Sequence, residues 1–165
     1  MEDLLSSAHT WFLESQTQFP GGELRIRLAE GIKANATAPL EISDVNLGSF
    51  YAIQVGANSR VAEILFESTI AIFSFDESFD DDRDKTLKFG EPGNNTLTRV
   101  EQSTFQDYVR SSTTAFDIHG GPLMAWFVWT EDQLTFVLSD CEPIVRLLPD
   151  APNLNRDRTS TWAAE

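Results

Sequence analysis

The sequence predicts an α+β domain built on mostly antiparallel β-sheet or sandwich, about seven strands, with an N-terminal helix and one interior helix. Three observations lead there. Apolar and polar residues alternate with a period of two in several short runs, which is the spacing of half-buried strands. Clusters of Gly, Pro and Asn separate those runs. The chain has no βαβ rhythm and no Gly-rich phosphate loop, which sets aside a doubly wound nucleotide-binding fold.

At the start, Leu4, Leu5, Ala8, Trp11, Phe12 and Phe19 recur at helical spacings, so residues 3–19 read as an amphipathic helix lying on the core. Pro20-Gly21-Gly22 would end it. Leu24, Ile26 and Leu28 then alternate with Arg25, Arg27 and Glu30, a strand with outward arginines. A connector reaches Pro39, a weak strand covers Glu41 to Leu47, and a better one runs from Phe50 to Val55. Gly56-Ala57-Asn58 turns into the stretch Val61 to Asp84, which organises the rest.

Its first part is the longest strand-like apolar run in the chain. Ile64, Phe66, Ile70 and Ile72 fall on one face and Leu65, Phe73 and Phe75 on the other, so this strand is expected inside a sheet and covered twice. Ser68 and Thr69 mark a bulge, or a bend where one strand becomes two. The run passes into six carboxylates, Asp76, Glu77, Asp80, Asp81, Asp82 and Asp84.

Lys85 to Leu97, with Gly90, Pro92, Gly93, Asn94 and Asn95, reads as an exposed loop. Ser103 opens the interior helix with Gln106 completing a capping box, and Phe105, Tyr108, Val109 and Ser112 form its inner stripe. Leu123 to Thr130, a turn at Glu131-Asp132, and Gln133 to Leu138 make an antiparallel hairpin. Pro143 to Leu148 suits a final edge strand. Residues 1–148 are thus expected as one globular domain and 149–165 as a polar tail.

Composition narrows the function classes. The 165 residues carry 26 acidic against 12 basic side chains, a formal charge of −14, which repels phosphate backbones and anionic lipid. Nucleic acid and membrane are therefore disfavoured partners. The acidic N-terminus is unlike a secretory leader, and Cys141, the single cysteine, excludes an internal disulfide, so a cytoplasmic location is expected.

The candidate chemistry centres on the carboxylates. Asp80, Asp82 and Asp84 occupy the first, third and fifth positions of a calcium loop, and Glu91 falls at the twelfth, where a bidentate ligand belongs. Lys85 stands where the sharp turn wants Gly, and a strand leads in. Asp76 and Glu77 point to opposite faces of a strand, and Glu63 and Glu67 are roughly 13 Å apart at strand rise, so neither pair suits glycoside hydrolysis. His119-Gly120-Gly121 has no Gly-x-Ser-x-Gly partner, and two histidines with one cysteine make a poor zinc set. Cys141 lies between Asp140 and Glu142, a setting that dulls a thiolate.

No catalytic set emerges. The expected function is a non-catalytic interaction protein whose acidic patch, Asp80, Asp81, Asp82, Asp84 and Glu91, binds a basic protein partner. By charge and size alone, inhibitors and immunity proteins that neutralise basic nucleases are comparable. The alternatives are a calcium-binding domain using Asp80, Asp82, Asp84 and Glu91, and a ligand pocket or active site lined by Trp126, Tyr108 and His119.

Overall fold

Hydrogen bonding in this computed structural model, which describes residues 4–42, 45–79 and 84–155, sorts ten strands into two antiparallel sheets. The first sheet runs in the order β1 (Thr10–Gln18), β2 (Leu24–Ile42), β4 (Val61–Phe66) and β10 (Ile144–Leu148), with β3 (Val45–Gln54) also pairing β2. The second runs β5 (Thr69–Asp76), β9 (Gln133–Ser139), β8 (Met124–Trp129), β7 (Leu97–Gln102) and β6 (Lys88–Gly93). Two helices, α1 (Thr104–Ser112) and α2 (Ala115–Ile118), join β7 to β8. The antiparallel β-rich class is as expected, with more strands than the sequence suggested.

The sheets pack face to face. Trp11, Ile26, Ile64 and Phe66 of the first meet Trp126, Val128 and Val137 of the second in one buried cluster. Each such side chain contributes about 1.5–3 kcal/mol on leaving water. The opposite face of the second sheet holds its own cluster, in which Phe127, Phe136 and Leu138 pack with Val109 and Phe105 of α1. The result is three layers: sheet, sheet, helices.

The expected N-terminal helix is corrected to a short 3₁₀ turn, Leu4–Ser7, followed by β1. Leu5 and Trp11 are nevertheless in contact, since Trp11 Nε1 donates to the Leu5 carbonyl at 2.9 Å. What decides the strand is pairing. Pro20-Gly21-Gly22 closes a hairpin with β2, both glycines having positive φ. The far edge of β1 is held by the β8–β9 turn, where Leu13 N donates to Asp132 Oδ1 and Glu131 N to the Trp11 carbonyl.

The connector expected before Pro39 is also strand, because β2 runs for 19 residues. Its first half lies in the sheet and its second half pairs only with β3, forming a projecting ribbon. At the junction, a Cβ on Gly31 would lie under 3 Å from Thr10, Ile53 and Phe12, so only glycine fits.

The central apolar run is two strands and not one. The bend at Ser68 is a crossing from the first sheet to the second, pinned where Thr69 N donates to the Gly22 carbonyl and Ser139 Oγ to the Ser68 carbonyl. Only β4 is covered on both faces; β5 is an edge strand with Phe73 half-exposed. Lys85 to Leu97, expected as loop, contains β6.

Three local expectations stand. Ser103 caps α1 by accepting from Gln106 N, although Tyr108 and Ser112 of the expected inner stripe are exposed. Strands β8 and β9 form the hairpin in the expected register. Strand β10 is an edge, paired only to β4. Within the segment expected as tail, Asp150 pairs with Arg27 and Asn153 N donates to Glu14 Oε1, so residues 150–153 lie against the first sheet; Trp162 is outside the described residues. Among the described residues no helix is long and apolar enough to cross a membrane.

Candidate binding groove

The second sheet ends on β6, Lys88-Phe-Gly-Glu-Pro-Gly93. Glycine and proline are tolerated at an edge, where a missing donor or side chain costs least. Here the glycines also shape the surface. A Cβ at Gly90 would lie 2.8 Å from Glu101 Cγ, and one at Gly93 would lie 2.5 Å from Thr98 Cγ2. Bare backbone therefore lets side chains of β7 cross the edge strand, and the β6–β7 register shifts on both sides of Phe89.

What remains above the glycines is an open groove of about 650 Å³. Its apolar lining is Phe89, Phe127 and Trp129, and its polar lining is Glu91, Asn94, Asn95, Thr98 and Glu101. Phe127 is the buried anchor. Its ring centroid is 5.4 Å from that of Phe89, 6.3 Å from Trp129 and 4.7 Å from Phe136. From Phe136 the array continues to Phe105 and Phe73. Phe89 is 51% exposed and Trp129 49%, so each ring of the rim offers about half its surface to a ligand.

The polar groups divide sharply by role. Thr98 Oγ1 donates to the Asn94 carbonyl, and Asn94 Oδ1 accepts from the backbone N–H groups of Thr96 and Leu97. Those bonds hold the β6–β7 turn and use up the hydroxyl proton. Glu91 and Glu101 have no ion-pair partner among the described residues, although Lys88 and Arg99 stand on the same two strands. The exposed side-chain amide of Asn95 and the Trp129 indole N–H are donors in the groove; the two carboxylates supply acceptors only.

The expected acidic patch is only partly in this region. Glu91 is in the groove. Asp84 is not a free carboxylate: Oδ2 accepts from Thr104 N at 2.8 Å and Thr104 Oγ1 at 2.9 Å, and Oδ1 accepts from Thr86 N and Oγ1. It fastens the first turn of α1 to the loop before β6. Burial pushes its pKa up, but the hydrogen bonds from Thr86 and Thr104 outweigh that and hold it below the usual carboxylate range. Asp80, Asp81 and Asp82 lie outside the described residues. The calcium-loop segment follows β5 and a 3₁₀ turn, Glu77–Phe79, and ends in β6, and among the described residues no three His, Cys, Asp or Glu side chains gather as metal ligands.

The pocket expected from Trp126, Tyr108 and His119 does not form. Trp126 is buried between the sheets, Tyr108 is 64% exposed on α1, and His119 follows α2, where its Nε2 lies 3.0 Å from Asp140 Oδ2. Asp140 is held below the usual carboxylate range, chiefly by a hydrogen bond with the Ser68 side chain, with His119 and Cys141 adding to it against a little burial. Asp76 caps its own turn by accepting from Ser78 N, and Glu63 is buried against Arg146. Neither lines the groove.

Sequence reasoning missed Phe89 and Glu101 as site residues. Trp129 did carry a signal, since its offset of three from Trp126 places the two indoles on opposite faces of β8, one in the core and one in the groove. Comparison with known proteins finds no protein-family profile, no curated protein and no solved structure that matches this chain.

Proposed function

We propose that this chain is a non-catalytic, cytosolic interaction protein that takes a basic protein partner on the acidic, aromatic groove at the β6 edge of the second sheet. The observation that carries the reading is the meeting of exposed rings and unpaired carboxylates in one concavity: Phe89 and Trp129 beside Glu91 and Glu101. Aromatic residues are enriched at the anchoring centres of interfaces, and charge of one sign both steers and orients a partner of the other. The net charge of −14 adds long-range attraction for a cationic surface. The cytosolic placement rests on the single, free Cys141.

Among the described residues the His–Asp pair, His119 with Asp140, is not part of the groove's lining.

Trp129 supplies a reporter in a Trp162→Phe background, because Trp11 and Trp126 are buried. Titration of the full chain with a mixed Lys/Arg peptide is expected to give a saturable change in tryptophan fluorescence that weakens steeply as salt rises from about 20 to about 200 mM. A change that ignores salt, or none at all, would contradict the proposal.

A further inference from the structure

We infer that the groove is built for a guanidinium, so that the partner presents an arginine, and not a lysine or a neutral sugar, to Phe89, Trp129, Glu91 and Glu101. This rests on the basic-partner reading above and narrows it. The first argument is the donor and acceptor inventory. Thr98 Oγ1 is committed to the Asn94 carbonyl and Asn94 Oδ1 to the Thr96 and Leu97 N–H groups, so the available charged groups are acceptors. A sugar hydroxyl both donates and accepts, whereas the groove's donors to it, the Asn95 amide and the Trp129 indole N–H, are neutral and both of its charged groups are acceptors. Guanidinium has five N–H donors and no acceptor, which suits a groove of two carboxylates.

The second argument is the shape of the apolar lining. A planar cation lies flat on a ring face while keeping its edge N–H groups for a carboxylate, whereas an ammonium is a strongly hydrated point charge that surrenders more solvation on entering such a site. Phe89 and Trp129 flank the buried Phe127 ring, and each is half-exposed. Glu101 reaches the groove across Gly90.

The third argument is that the chain uses the same chemistry within itself. Arg60 donates from Nε to Glu30 Oε2 at 2.7 Å and from a terminal nitrogen to Glu30 Oε1 at 2.6 Å, and its guanidinium carbon lies 5.9 Å from the Trp11 ring centroid. Arg110 lies 4.1 Å over Phe116. Among the described residues none of the groove's three rings carries a cation of the chain.

The test compares three probes on the full chain at about 150 mM salt: a dye-labelled peptide of alternating Arg and Gly, its Lys counterpart, and a labelled neutral oligosaccharide, each read by fluorescence anisotropy. The arginine peptide is expected to bind about tenfold more tightly than the lysine peptide. The double variant Glu91→Gln/Glu101→Gln and, separately, Trp129→Ala should each bring the two peptides to within about twofold of one another. Circular dichroism of each variant establishes that it is folded before its affinity is read. Equal binding of both peptides by the unmodified chain overturns the arginine inference and leaves the basic-partner reading standing. Binding of neither peptide at about 150 mM and again at about 20 mM salt overturns both, and oligosaccharide binding that Trp129→Ala abolishes overturns both in favour of a glycan site.

Discussion

The outer faces of the two sheets use charge in opposite ways. On the first sheet the arginines meet carboxylates of the same chain: Arg27 with Glu14 and Asp150, Arg25 with Glu23, Arg60 with Glu30, and Arg146 with the buried Glu63. On the second sheet the corresponding surface is aromatic, and among the described residues no cation is joined to Glu91 or Glu101. One face has completed its ionic contacts internally and the other offers them outward. With few basic residues in an acidic chain, where the arginines are spent decides which carboxylates remain for a partner.

The comparison breaks most sharply at Arg146. Its removal leaves Glu63, 3% exposed, as a buried carboxylate with no hydrogen-bonded cation and only the more distant charge of Arg25 acting on it. Because Arg146 itself is half-exposed, the cost of Arg146→Ala is expected at about 2 kcal/mol, below the range for a fully buried pair. Thermal unfolding should show a melting temperature lower by roughly 4–8 °C. Adding Glu63→Gln should recover part of it, as a double-mutant cycle would reveal, and peptide binding at the groove should be unaffected.

A smaller effect belongs to Asp84, which joins the loop before β6 to α1. Asp84→Ala is expected to cost about 1 kcal/mol, the usual loss when a side chain stops satisfying the first turn of a helix. The sign with pH follows from its lowered pKa. A carboxylate with a folded pKa below its unfolded one contributes stability that is fully present above the unfolded value and lost as pH falls through the folded value. The gap in melting temperature between the unmodified chain and the variant should therefore be widest near neutrality and close on acidification. A gap that widens in acid would contradict the capping role.

The smallest stability effect is expected where the binding effect is largest. Glu91→Gln and Glu101→Gln remove no ion pair of the described structure and relieve repulsion in a chain of net charge −14, so each should change stability by less than about 0.5 kcal/mol, in the stabilising direction if at all. A loss of more than about 1 kcal/mol would mean that these carboxylates hold the fold together and that the two faces do not differ as described.

What the sequence disclosed follows the range of the forces involved. The α1 cap and the β8–β9 hairpin were legible because Ser103 and Gln106, or Trp129 and Leu134, are neighbours in the chain. Strand β1 was not, since part of what holds it is a bond from Leu13 to Asp132, 119 residues away, and no local period carries that information. Strand β6 was hidden by its glycines and proline, which read as loop but are permitted at an edge. The groove was half-visible. Glu91 stood out for a calcium-loop spacing; the three-residue offset of Trp129 from Trp126 put the two indoles on opposite faces without marking Trp129 for a site, and Glu101 enters only because Gly90 leaves room for it to cross β6.

The most direct test of the account is amide hydrogen exchange of the full chain with and without a saturating arginine-rich peptide, read segment by segment across both faces. The account expects protection concentrated in residues 88–102 and 124–130, with residues 10–28 and 144–148 unchanged. Protection of the first sheet's outer face, or of the β2–β3 ribbon in place of the β6–β7 edge, would contradict it.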